Sequence, residues 1–145
     1  MPDEFRFMLI CLRASHRLDD QAVTLSGIVN TLVGRSDEPT ELLAMLGVIL
    51  RPPMRGKRLD LMAWRLGNNG ERLTIGDYVG TQMTLPDEPL LGPQVLPCEI
   101  LLPTPGRGIY GFELFDGEGA FGTPERLLAT YIFGVELDDA GEDRS

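Results

Sequence analysis

The sequence is poor in the residues that most often build reactive centres. Its 145 residues include one histidine, His16, two cysteines, Cys11 and Cys98, and one lysine, Lys57. Because the two cysteines are far apart and histidine is so scarce, no zinc-binding spacing exists. The nucleophile elbow of serine hydrolases is missing too, since Ser26 lies inside a strand-like run. We therefore expect a protein that is not an enzyme and has no metal, no cofactor and no catalytic residue.

Long apolar segments are also missing. No run approaches the roughly 20 residues that a helix needs to cross a bilayer. The sequence opens with Asp3, Glu4 and Arg6, which is unlike the basic and then apolar regions of a secretory signal. The formal net charge is −9, and a field of that sign repels phosphate backbones and anionic lipids. These features predict a cytoplasmic protein that binds neither nucleic acid nor membrane.

Short apolar segments dominate what is present. Eight of them alternate with turn-rich stretches at fairly even spacing, which is typical of a sandwich or barrel. We predict an all-β, antiparallel two-sheet sandwich of about eight strands, with a single domain over residues 1–137. Residues 138–145 are predicted to form an acidic, disordered tail. Over residues 39–46 a short helix is the alternative to a strand, because Ser36 or Asp37 can cap it and Pro39 suits a first helical turn.

Alternation within the segments predicts where each strand lies. The first segment, residues 5–13, is apolar on both alternating faces, which predicts a central strand. Gly27, in the middle of the second segment, predicts a bulge or a close approach to the backbone. In the fourth segment Met62 and Trp64 share one face, and we expect a second sheet to cover them as part of the core. Residues 67–70, Gly-Asn-Asn-Gly, predict a tight turn.

Three parts of the chain resemble a known family. They are Phe7–Cys11 with Val23–Ile28, Leu59–Leu66 followed by Gly70, and Pro105–Gly106 with Tyr110–Leu114 and Asp116–Gly117. In this pattern the chain resembles a family of small bacterial proteins that is classed only as a domain of unknown function. The resemblance implies an immunoglobulin-like sandwich, and it transfers no functional residue because that family has no assigned activity.

Two glycine-rich stretches, residues 106–111 and 117–122, match the spacing of nucleotide-binding loops. Dinucleotide loops follow a strand and open a helix, whereas the first stretch follows prolines and precedes a strand. Kinase glycine loops need a downstream lysine, and Lys57 lies upstream of the second stretch. We interpret both stretches as turns.

The two cysteines lie in apolar, strand-like runs. In a reducing compartment such residues are most simply buried free thiols. A disulfide that bridges the two sheets is the alternative.

One loop is locally positive in an otherwise acidic chain. Arg51, Arg55, Lys57 and Arg58 crowd around a proline pair. They are our candidate binding residues, because such a loop can dock an acidic partner. The competing interpretation is a solvated turn whose charges face acidic neighbours in the same chain.

The sequence thus favours a non-catalytic interaction or assembly module that binds a protein partner or a second copy of itself through a sheet face or edge. One alternative is a small-ligand or carbohydrate-binding module that uses aromatic residues. Another is a hydrolase that uses strand carboxylates, with Glu99 and Glu113 on one sheet face.

Overall fold

The computed structural model describes residues 5–16, 23–49, 56–75, 78, 80–85, 93–117 and 127–138. Within these ranges there is no helix that is long and apolar enough to span a bilayer. The strands are β1 (Phe5–His16), β2 (Val23–Ile28), β3 (Thr31–Gly34), β4 (Thr40–Ile49), β5 (Arg58–Leu66), β6 (Arg72–Leu73), β7 (Thr81–Thr84), β8 (Pro93–Leu102), β9 (Gly108–Asp116) and β10 (Leu127–Leu137).

The strands form two sheets, which confirms the predicted all-β sandwich. The four-stranded sheet has the order β2-β1-β4-β8, and the six-stranded sheet has the order β3-β10-β9-β5-β6, with β7 also paired to β5. All pairs are antiparallel except β3 with β10, which is parallel. The helix considered for residues 39–46 is wrong, because Thr40–Ile49 is one strand bonded to β1 on one side and β8 on the other.

The core lies between the two sheets and is built from the inward faces of their strands. Phe112 is fully buried there, and its ring stacks on that of Phe133 with 5.7 Å between centroids. Next to it, the Tyr110 hydroxyl donates a 2.5 Å hydrogen bond to the carbonyl of Gly106, two residues before β9 begins. A tyrosine tied back to the backbone a few residues upstream is the tyrosine corner seen in immunoglobulin-like sandwiches.

Two predicted segments are each divided into two strands. The segment over residues 22–33 becomes β2 and β3, which belong to different sheets, with Val29 and Asn30 between them. Gly27 has a φ of 71° and lies against the Leu12 side chain, so the predicted close approach is confirmed. The segment over residues 73–84 becomes β6 and β7 on the same edge of β5. The predicted turn at Gly67–Gly70 is also confirmed, since Gly70 has a φ of 79° and its N–H donates to the Gly67 carbonyl.

Trp64 does not lie in the core, so that expectation is wrong. It is opposite Gly111 on β9, on the face of the six-stranded sheet that points away from the other sheet. It is nonetheless buried, because its indole lies against Gly111 and the Arg72 guanidinium stacks over it at 4.5 Å. A cation above an indole ring covers it as an apolar neighbour would.

Asp138, the last described residue of the chain, lies at the parallel strand pair. The Asp138 N–H donates a 2.8 Å hydrogen bond to the Gly34 carbonyl, just beyond the last residues of β10. Residues 139–145, most of the predicted acidic tail, lie outside the described residues. The predicted boundary between domain and tail therefore stays a prediction.

Candidate functional site

The positive loop is described only at its end. Lys57 contacts Asp116 at 2.7 Å, and the Arg58 guanidinium donates a 2.5 Å hydrogen bond to the Gly117 carbonyl. Arg58 also lies 3.5 Å from the buried carboxylate of Asp60. Arg51 and Arg55 lie outside the described residues. Both described cations thus face groups of their own chain, and a docking role for the four residues stays a prediction.

The carboxylates suggested for hydrolysis cannot work together. Glu99 is on β8 of the four-stranded sheet, whereas Glu113 is on β9 of the six-stranded sheet. Glu113 contacts Arg72 at 2.5 Å on the outer side of its sheet. The expectation that the two glutamates share a face is therefore wrong. The backbone of His16 ends β1, and its side chain lies outside the described residues.

The two cysteines are free and buried, as the simpler interpretation predicted. Cys11 is on β1 and Cys98 on β8, with β4 between them, so their backbones are about 10 Å apart at usual strand spacing. A disulfide needs Cα atoms within roughly 7 Å. The register also places Cys11 on the outer face and Cys98 on the inner face, which excludes the bridge.

We expect neither thiol to react in the native protein. Burial raises the pKa of Cys11 and of Cys98, and for Cys98 the nearby Glu99 charge raises it further. The thiolate is the reactive form, so both sulfurs should resist a colorimetric disulfide reagent at neutral pH. Both should react when the protein is unfolded in guanidinium without reductant. A native count of two reactive thiols contradicts this prediction.

The outer side of the four-stranded sheet is mostly apolar. The strand register places ten uncharged residues on this side, and residues on neighbouring strands lie opposite one another. We call this set the apolar face: Phe7, Leu9, Cys11, Ile28, Leu43, Met45, Gly47, Val95, Pro97 and Leu101. When one face of an antiparallel sheet is exposed to solvent, that face normally carries polar residues. This sheet instead has apolar residues on both sides of its two central strands.

Several residues of the apolar face are open to solvent. Phe7 is 37% exposed, Ile28 50% and Leu101 58%. Met45, between them on β4, is only 2% exposed and does not belong to the core between the sheets. The Phe7 ring lies across Gly47, where a Cβ would overlap it. The centre of this side is therefore buried, and apolar residues are exposed at its margins.

Charge is confined to one end of this face. Arg13, Glu41 and Glu99 lie there on three adjacent strands, and all three are exposed. The same end borders a cavity of about 760 Å³, to which these three residues contribute together with Leu12, Leu43 and Thr81. No group of three or more metal-ligating residues occurs in the described part of the chain.

The outer side of the six-stranded sheet is different. It has exposed Val33, Ile109 and Ile132, but these lie among charged and polar residues. The Arg72–Glu113 pair, above Trp64, occupies the middle of this side. The apolar residues are therefore interrupted here, whereas on the four-stranded sheet they are continuous apart from Leu101, which lies beyond Glu99 and opposite Glu41.

Comparisons with known proteins assign no family to the chain. No family model matches the chain, so the resemblance to a bacterial family is not confirmed. No curated protein matches it either. Among solved structures, the chain is similar to an immunoglobulin-like protein of Pseudomonas aeruginosa, with 14% identity over 88% of this chain and 91% of that one, at a TM-score of 0.39.

Proposed function

We propose that the protein is a non-catalytic assembly module and that a second copy of the chain covers its apolar face. The observation that carries the proposal is the connected set of uncharged side chains that runs from Ile28 on β2 through β1 and β4 to Pro97 on β8. Exposed apolar surface of this kind usually marks an interface. Sheets with apolar outer faces pack well on one another, since two such faces interdigitate about 10 Å apart.

The size of the face suits a dimer. Four strands of 6 to 12 residues, spaced at about 4.8 Å with roughly 3.3 Å per residue, span a sheet side of roughly 600 Å², its charged end included. A specific interface buries at least about 1,000 Å² over both partners, and most bury more. Two copies of this face therefore meet that requirement, and no further element is needed.

The carbohydrate alternative has less support. Sugar-binding surfaces depend on aromatic rings that present an open face to the ligand. Among the described aromatic residues, Phe7 is the one that is exposed, and its ring rests on the protein's own backbone at Gly47. The described residues therefore offer no aromatic platform for a sugar.

We expect Ile28→Lys or Leu101→Lys to dissociate the dimer. Both side chains are exposed in one copy, so lysine costs little in the monomer, but in the interface its ammonium loses water and the apolar contact of the native side chain is lost. We expect the dissociation constant to rise by about tenfold or more, measured by sedimentation velocity across a concentration series.

Ile132→Lys is the matched control, because Ile132 is 60% exposed on the opposite side of the sandwich. It should dimerise like the unmodified protein, with an unchanged melting temperature. A protein that is monomeric at all concentrations overturns the proposed function. So does a dimer that all three substitutions weaken equally.

A further inference from the structure

The four-stranded sheet is split at its charged end. The pairing of β1 with β4 ends at Cys11 and Leu43, and from there β1 continues beside β2 alone while β4 lies beside β8 alone. Among the described residues, the facing sides of residues 12–16 on β1 and 40–42 on β4 therefore have no neighbouring strand. An unpaired strand side presents a row of N–H and C=O groups that can bond to another extended chain.

A cavity of about 760 Å³ lies at this split. Its lining includes both of the separated strands and β8, through residues 12–14, 41–43 and 99–101, together with Thr81 of β7. Pockets that hold ligands typically have volumes of about 300–1,000 Å³. The split therefore combines open strand sides with the space for a guest.

Leu12 shows that the inner side of the split is uncovered. Side chains alternate along β1, so Leu12 shares the inner side with Met8 and Ile10. Those two residues are buried, whereas Leu12 is 47% exposed, although it lies against Gly27. An apolar side chain placed here by a partner removes the exposed part of Leu12 from water, which favours binding.

The outer side of the split is acidic on β4 and β8. Glu99 is opposite Leu43, so Glu41 and Glu99 are diagonal neighbours on this side, and both are exposed. Neither carboxylate is ion-paired within the described part of the chain. Arg13 supplies the single positive charge that lines the cavity, so carboxylates are in excess there. A cationic side chain of a partner suits this side.

We propose that an extended segment of another protein, in which apolar residues alternate with Lys or Arg, inserts between β1 and β4. Its main chain bonds to residues 12–16 and 40–42, as in other cases of strand addition. Its apolar side chains cover Leu12 on the inner side, and its cations lie beside Glu41 and Glu99 on the outer side. A second copy of this chain does not supply the segment, because each described strand is already paired within its own chain.

Two synthetic peptides of about seven residues test the charge and the alternation. One alternates valine with lysine and the other alternates valine with glutamate, and the anisotropy of an attached fluorescein measures their binding to the full chain. The lysine peptide should bind at least about tenfold more tightly, because the exposed carboxylates attract its ammonium groups. Equal affinities, or no binding of the lysine peptide at about 1 mM protein, overturn the proposal.

A charge-matched pair of variants separates the split from the overall acidity of the chain, whose net charge is −9. Glu41→Gln combined with Glu99→Gln should weaken binding of the lysine peptide by about threefold or more, with an unchanged melting temperature. Glu136→Gln combined with Asp138→Asn is the control, since both residues are exposed at the end of β10 in the other sheet. Equal losses in the two double variants show attraction by net charge only and contradict the proposed site.

Methylated peptides test insertion between two strands. In an extended chain, successive N–H groups point to opposite sides, so methylating every second amide nitrogen blocks the donors of one side. A segment that bonds to both β1 and β4 should bind at least about tenfold more weakly with either of the two methylation patterns. A peptide that one pattern leaves unaffected is bonded on one side only, as at the outer edge of β2 or β8, and that result overturns insertion.

Binding of the peptide needs one copy of the chain, so its outcome is independent of the proposed dimer. Ile28→Lys should bind the lysine peptide as the unmodified protein does, because Ile28 does not line the cavity. A dimer that binds neither peptide overturns the insertion and leaves the proposed function standing. A monomeric protein that binds the lysine peptide with the expected selectivity overturns the proposed function alone.

Discussion

Replacing Phe112 by alanine is expected to lower the free energy of unfolding by about 3–5 kcal/mol. Phe112 has no exposed surface, and its ring stacks on Phe133 in the centre of the core. Removing the ring leaves a cavity that the surrounding strands cannot close, because β9 is held by β10 on one side and β5 on the other. Chemical denaturation followed by far-ultraviolet circular dichroism measures the loss.

A loss of this size is a large fraction of the total stability of a small domain, which is typically about 5–15 kcal/mol. The matched control is Ile132→Ala on the neighbouring strand, whose side chain is mostly exposed. It should change the free energy of unfolding by less than about 0.5 kcal/mol. A Phe112→Ala loss below about 1 kcal/mol contradicts the described core.

The second large effect is expected at Gly111. A Cβ at this position overlaps the Trp64 ring, so Gly111→Val forces the indole off the sheet. Displacement also breaks the stacking of Arg72 over Trp64. We expect a loss of about 2–3 kcal/mol in the free energy of unfolding, from strain and from the lost cation–π contact.

Fluorescence makes this test specific, because Trp64 is the only tryptophan in the chain. Its emission should shift to longer wavelength in Gly111→Val, since the indole becomes exposed to water. Gly134→Val is the control on the next strand, where the nearest atom to an added Cβ is 3.7 Å away. Equal losses at Gly111 and Gly134, or an unshifted emission spectrum, argue against the described position of Trp64.

The sequence predicted the strands better than it predicted their faces. Leu59, Leu61 and Ala63, which alternate along β5, form its buried inner side. The other side, with Met62 and Trp64, is also apolar, and period-two alternation cannot tell which of two apolar sides faces the second sheet. The Trp64 indole fits on the outer side because Gly111, opposite it, has no side chain. This contact joins two distant parts of the chain, so the sequence pattern of β5 alone does not reveal it.

The candidate site was predictable in part. Apolar residues on both faces of the first segment predicted a central strand, and β1 does lie inside its sheet. The apolar face itself was not predictable, because it depends on the register between β1 and β4. Register follows from which strands become neighbours, and the sequence does not give strand order. The positive loop was the candidate that the sequence could reveal, because its charges are close together along the chain.

The parallel pairing of β3 with β10 affects how the protein is made. The Tyr131 hydroxyl donates a 2.6 Å hydrogen bond to the Val29 carbonyl, which joins residues 102 positions apart. Ribosomes add roughly 5–20 residues each second, so β3 waits several seconds or longer for its partner to be synthesised. The sandwich therefore cannot close until β10 has emerged from the ribosomal exit tunnel. During that interval β3 lacks its neighbour in the sheet, and the backbone groups that will bond to β10 stay unpaired.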